Sequence, residues 1–306
     1  MPVAFLSRRL VHSLVVVFVV LTAVFLAAQV IGDPARLMLP VNAPLEQVAE
    51  TRAALGLDDP LHQQFARFVQ GAVQGDFGDS LWMREPAFGL ALARVGPTLM
   101  LGASTIVVSF LVGLTLGLLA AARRGGWLDR VVVVGSLAAV SIVEFWIALI
   151  LIYVLAVQLE LLPTSGYGSV SNLIIPVIVL SLRPTGRIAQ FSRAAMVDEL
   201  EKPYVRAAVA RGIPRWRIVS IHGLKNMSVP LVTLTGDEFI SVVSTAVVIE
   251  FIFAWPGLGS LLMGAINHRD LPLAEACVFL FTVVVVIVNF LVDVSYGFLD
   301  RRTRAA

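Results

Sequence analysis

The sequence predicts an all-α integral membrane protein with six transmembrane helices. Three observations carry that prediction: an apolar composition, apolar runs of membrane-spanning length, and a one-sided distribution of Lys and Arg. Hydrophobic residues make up 58% of the 306 and charged residues 14%, against roughly half and a quarter in soluble domains. The single cysteine, Cys277, leaves no intrachain disulfide to form. A net charge of +2 is too small to point to nucleic acid.

A helix crosses the hydrocarbon with about 20 apolar residues. Residues 10–31 reach that length behind Arg8 and Arg9. They exceed the ~7–15 residues of a signal-peptide core, so an uncleaved first span is expected. Further spans are expected at 98–122, 130–159, about 172–195, 231–253 and 273–299. The fourth loses its apolar run at Leu182, where Arg183 and Arg187 follow. Its inner end is expected to enter the headgroups, with the arginines snorkelling. With the amino terminus in the cytoplasm, all but six of the 23 Lys and Arg fall on the inner side. The six are Arg36, Arg52, Arg67, Arg84, Arg94 and Arg269. The reverse topology would break the positive-inside rule, so both termini are expected in the cytoplasm. The organisation expected is a first span ending near residue 31, an extracytoplasmic segment over 32–97, and a five-helix domain over 98–306.

Within the second span, Thr105, Ser109, Gly113, Gly117 and Ala121 fall four apart on one face. Such a stripe lets helix backbones approach closely. It fits either bundle packing or the lining of a pathway. Ionisable side chains inside spans are costly and need a reason. Glu144 lies in the middle of the third span, Asp293 in the last, and Asp237 and Glu238 near the inner end of the fifth, whose outer end carries Glu250. Glu144, Asp237 and Asp293 are candidate pathway residues; the competing readings are a buried pair with arginine or a water-filled cavity. No HExxH or G-x-S-x-G pattern is present, and the four histidines are scattered, which argues against a metal centre and an intramembrane enzyme. No Gly-rich loop followed by Lys and Ser or Thr is present, so the chain has no phosphate loop of its own.

One stretch interrupts the oily sequence: "PYVRAAVARGIPRWRIVSIHGLKNMSVP", residues 203–230. It reads as two short helices over about 200–225. Pro203 suits a first turn, Gly212 a stop, and Pro214 a restart. Ala207, Ala208, Ala210 and Gly212 form a nearly side-chain-free surface framed by Tyr204, Arg206, Arg211 and Arg215. A groove on another protein can receive such a surface; anionic headgroups could also hold it.

"YVRAAVARG" resembles the cytoplasmic coupling motif of permease subunits of ATP-binding-cassette importers, in the version of the dipeptide, oligopeptide and nickel import family, with Arg206 in place of the usual Glu. Further motifs in the family's order extend the resemblance over almost the whole chain. They are "GDP" at 32–34, "LGLDDP" and "GDFGDSL" within 55–81, "RVGPTLML", "LLPTSGYGS", "EFIFAWPGLGSLLMGAINHRDLPL" at 250–273, and the closing "VNFLVDVSYGFLDRRTR". The chain departs from the family at Val143, where a Pro is common, at Asp237 and Glu238, at Gln190, and at "FLDRR" for LDPR.

The resemblance implies the type I importer permease fold, with a coupling helix that sits in a cytoplasmic ATPase. Ala207, Ala208 and Gly212 would allow close approach. Arg206, Arg211 and Arg215 would pair with acidic groups, and Tyr204 would anchor the front. Trp255, Pro256, Gly257, Gly259, Arg269 and Asp270 would meet a binding protein or cover the outer mouth. The implied partners are a second homologous permease (a heterodimer), two ATPase subunits carrying ATP and Mg, an extracytoplasmic solute-binding protein, and the lipid bilayer. The implied location is a bacterial or archaeal plasma membrane. The implied cargo is a peptide, a nickel chelate or a glutathione-like solute. An ion-coupled secondary transporter working alone would instead use Glu144, Asp237 and Asp293 as ion sites and leave the basic segment unexplained.

Overall fold

The computed structural model describes residues 3–31, 35–36, 39, 43–54, 56–214 and 217–299, and these are almost entirely helical. In chain order they form α1 (Val3–Ile31), α2 (Leu45–Ala54), α3 (Leu61–Gln74), α4 (Ala87–Ala122), α5 (Trp127–Ser141), α6 (Glu144–Leu151), α7 (Val170–Leu200), α8 (Pro203–Ala210), α9 (Leu224–Ile252), α10 (Leu258–Asn267) and α11 (Leu271–Leu299). Two stretches of π-helix, Ile152–Gln158 and Ile218–Gly223, extend α6 and lead into α9.

Helices α1, α4, α7, α9 and α11 are long and apolar enough to cross a membrane. In place of the continuous helix expected over 130–159 stands the pair α5 and α6, bent by 100°, which is a broken span or a re-entrant loop. The break falls at Ile142 and Val143, whose extended backbones (ψ 135° and 119°) end one helix and precede the next. A valine replaces the proline common in the family at this turn, yet the helix still breaks. Consecutive β-branched residues, which lose side-chain freedom in a helix, suit the extended conformation found there.

The chain divides into two compact units. The first holds Met1–Thr98 and Pro256–Phe290. In it α1 lies on α3 through aromatic edges, with Phe25 and Phe65 centroids 5.3 Å apart. Its core gathers Ala87, Ala91, Leu258, Leu261, Leu273 and Cys277, with Phe77 packed against them.

The second unit holds Leu99–Trp255 and Leu291–Ala306, and α7 runs through its middle. The small-residue stripe of α4 meets this helix. A Cβ on Gly117 would lie 2.6 Å from the Ala189 carbonyl oxygen, and one on Gly113 would lie 2.8 Å from that of Thr185. Thr105 and Ser109 are fully buried on the same face. On α7 itself, a Cβ at Gly186 would lie 2.7 Å from the Ser136 carbonyl oxygen of α5. Glycine is required at these contacts because the backbones touch. The α5–α7 contact is locked by an ion pair absent from the sequence reading. Buried Asp129 accepts from Arg193 Nη2 at 2.8 Å and from the Gly125 amide at 2.9 Å.

Candidate functional site

The basic stretch folds as its residue types require. Pro203 opens α8 at the first helical position, where its missing N–H costs nothing. Gly212 closes it in the left-handed region, with φ +77°. The Gly212 amide donates to the Val209 carbonyl (2.9 Å) and the Ile213 amide to that of Ala208 (3.1 Å), the paired bonds of a Schellman stop. Nothing lies within 4 Å of a Cβ built at Gly212; within this chain the glycine serves backbone conformation, not close packing. Val205 is buried beneath the helix, whereas Arg206, Ala207, Arg211 and Gly212 are exposed and Ala208 is half-buried. A smooth face rimmed by arginines therefore points away from the unit's core. Arg215 lies outside the described residues.

Tyr204 behaves differently from its neighbours. The residue is over a third exposed, but its hydroxyl donates to Glu199 Oε1 at 2.7 Å. Burial, with the Glu199 carboxylate beside it, pushes the phenol up to about 12. Glu199 was not singled out in the sequence. Only 6% exposed at the end of α7, it also accepts from Asn226 Nδ2 of α9 at 2.6 Å and pairs with Lys202. Its position in "DELEK" looks like a solvated charge run, which hides it.

The intramembrane carboxylates are partly brought together. Glu144 sits half-buried in the first turn of α6, where the positive end of the helix dipole favours it. Arg183 of α7 lies within electrostatic reach of both Glu144 and Glu238. Glu238 is buried, with Arg187 Nη1 2.5 Å from its Oε1. That contact is an ion pair without hydrogen-bond geometry, so neither carboxylate oxygen accepts a hydrogen bond. Asp237 is exposed beside it. Asp293 is placed on α11, but its side chain lies outside the described ones. Arg183, Arg187 and Glu238 thus join Glu144 and Asp237 as pathway candidates.

The outer-mouth residues separate by burial. Trp255, in the second unit, is 1% exposed and meets Tyr167 edge-on, at 4.8 Å and 81°. Gly257 and Gly259 are buried in the first unit and Pro256 is half-buried. Asp270, also buried, accepts from the Ser80 hydroxyl (2.5 Å) and the amides of Trp82 (3.0 Å) and Leu273 (3.2 Å). It thereby ties "GDFGDSL" to the "RDLP" turn. What this leaves at the surface is Arg269 and Arg84, both with left-handed backbones (φ +55° and +56°), and the stacked pair Trp82–His268 at 3.9 Å. Non-glycine residues in that region are uncommon and gather at functional sites.

Residues 113–305 match the family described as "Binding-protein-dependent transport system inner membrane component", and residues 2–112 match the N-terminal component of the same systems. The chain belongs to this family of importer permeases. It is 35% identical over 301 residues, covering 98% of both chains, to the Glutathione transport system permease protein GsiC of Escherichia coli strain K12 and to that of Shigella dysenteriae serotype 1. The inward-facing MetNI methionine ABC transporter matches with a TM-score of 0.60 at 22% identity, over 72% of this chain and 100% of that one, and shows the type I permease fold. The permease is therefore a multi-pass inner-membrane transport subunit of an ATP-driven importer. It is not an enzyme; ATP hydrolysis belongs to a partner ATPase, and a binding protein works with it. This excludes the solitary ion-coupled transporter.

Proposed function

We propose that the permease forms half of the translocation pathway for a small peptide or peptide-like solute of the glutathione kind, delivered by an extracytoplasmic binding protein. A second, homologous permease completes the pore, and two ATPases with ATP and Mg drive it. In this reading both termini and α8 are cytoplasmic, and the segment over 32–97 lies outside. The location is the plasma membrane of a bacterium or archaeon.

The observation that carries the reading is α8: a smooth face of exposed Ala207 and half-buried Ala208, stopped cleanly at Gly212 and rimmed by Arg206 and Arg211. A groove in an ATPase can grip such a handle, and Arg215 is a further candidate from the sequence for pairing with it. ATP-driven closure of the ATPases moves the handle and biases a two-state bundle. The carboxylates of Glu144, Glu238 and Asp237, with the guanidinium groups of Arg183 and Arg187 among them, suit a zwitterion bearing both an ammonium group and carboxylates, and Asp293 remains a candidate from the sequence. In this reading Arg269, Arg84 and Trp82, exposed in the first unit, are offered to the binding protein on the outer side.

The test is uptake by the assembled importer in proteoliposomes, with glutathione, a dipeptide and a nickel chelate as competing cargoes. Gly212→Trp is expected to insert normally, release the ATPases in a detergent pull-down, and abolish ATP-driven uptake. Glu144→Gln is expected to retain the ATPases but lower uptake of an amine-bearing cargo by about tenfold, one lost charge contact. Normal uptake by a well-inserted Gly212→Trp protein overturns the handle. Preference for nickel over both peptides overturns the cargo.

A further inference from the structure

The handle must pass its movement to the helices that open and close the pathway. In this permease α8 is tied to its own unit at its start. At its start, Val205 is buried and Tyr204 bonds Glu199. Farther along, Arg206 and Val209 line a cavity of about 610 Å³ whose other walls include Arg123, Leu200, Ile218 and Val219. The helix is tied near Tyr204 and borders that cavity from Val205 to Val209.

The tied end converges on one side chain. Glu199 belongs to the last turn of α7, Lys202 and Tyr204 to the entry of α8, and Asn226 to the first turn of α9. Tyr204 Oη and Asn226 Nδ2 donate to the same oxygen, Oε1, at 2.7 and 2.6 Å, and Lys202 takes Oε2. A carboxylate this buried is stable only while paired and hydrogen-bonded. Releasing one donor therefore weakens the hold on the other two segments. The same α7 touches α4 and α5 through Gly117 and Gly186, so whatever moves the end of α7 moves the packed bundle.

Resting on the proposed importer reading, we infer that Glu199 is the positioning residue that couples the handle to the pathway helices. It makes α8, the end of α7 and the start of α9 turn as one body about the Tyr204 end. It touches neither cargo nor nucleotide.

The test uses the complete importer in proteoliposomes. Spin labels at Val209→Cys, which borders the cavity and not the docking face, and at Lys225→Cys report whether α8 and α9 keep their spacing; the native Cys277 is buried and does not compete for label. With Glu199 present, a narrow interspin distribution is expected, unchanged between nucleotide-free and vanadate-trapped ATP states. In Glu199→Gln the distribution broadens. The ATPases remain bound, and glutathione taken up per ATP hydrolysed falls by about tenfold. Tyr204→Phe, which keeps the fold, falls between the two.

A Glu199→Gln importer with the wild-type distribution and wild-type uptake per ATP overturns the inference. So does one that releases its ATPases and loses hydrolysis and uptake equally, because Glu199 would then serve docking or folding. If the wild-type importer moves no glutathione, the cargo assignment fails alone, since the spin-label measurement needs no cargo.

Discussion

Two of this permease's buried carboxylates, Asp270 in the first unit and Glu199 in the second, are built differently. Asp270 takes two of its three bonds from backbone amides, and the third donor, the Ser80 hydroxyl, is itself fixed by accepting from the Met83 amide at 2.9 Å. Glu199 takes all of its cross-segment bonds from side-chain ends: a phenol, an amide and an ammonium. Backbone donors cannot leave without unfolding the turn. Side-chain donors can swing on their own rotatable bonds and re-form their contacts afterwards. The first construction suits a fixed turn, the second a joint that moves while staying connected.

The sharpest way to break this comparison is to delete each carboxylate. Asp270→Ala strands the Ser80 hydroxyl and two amides in a buried turn and is expected to cost on the order of 4 kcal/mol. Glu199→Ala leaves donors that can turn to water and should cost about half as much. Thermal melting of the two variants in detergent measures the ratio; equal losses would mean that Glu199 is as static as Asp270.

The next effect concerns the helix that carries Glu199. Gly117→Val places a Cβ 2.6 Å from the Ala189 carbonyl oxygen and is expected to force α4 and α7 apart, at about 3 kcal/mol. Uptake should fall further than ATP hydrolysis if α7 transmits movement as a packed body. Parallel loss of both would place the fault in folding alone.

The smallest effect is a pH dependence. The Tyr204 phenol is raised from 10.0 to about 12, so the folded state favours its protonated form. That contribution is fully present below pH 10.0 and is lost as pH rises through about 12. Uptake per ATP is therefore expected to be flat through the neutral range, and the phenolate absorbance lost in Tyr204→Phe is expected to develop only near pH 12. A Tyr204 phenolate that develops already near pH 10.0 would mean that its bond to Glu199 is not kept.

The sequence made some of this visible and hid the rest for definite reasons. Gly212 and Pro203 were legible because backbone conformation alone dictates those residues. The α4 stripe was legible because small residues four apart can share only one helix face. Glu199 was not, since "DELEK" has the composition of a wet helix end and its partner Asn226 lies 27 residues away. Asp129 and Arg193 were hidden likewise by a separation of 64 residues. The burial of Trp255, Gly257 and Gly259 was not legible either; of the residues expected at the outer mouth Arg269 is the exposed one, and the exposed Trp82 and Arg84 were not singled out. The elbow at Ile142–Val143 was missed because no proline or glycine marks it.

That elbow has a consequence for how the subunit can exist. The α5 arm has 15 residues and rises roughly 22 Å, short of the ~30 Å hydrocarbon thickness. The α6 arm starts without a side-chain cap, and Ile142, Val143, Phe145 and Trp146 around the corner are exposed. Lipid tails offer nothing to amides at an uncapped helix start. Lipid alone cannot seal this wall; another polypeptide or a column of water has to. A copy synthesised without its neighbours is then an orphan with an open flank, the kind of defect that membrane quality-control proteases recognise, and its cellular half-life should lengthen when the companion subunits are made alongside it.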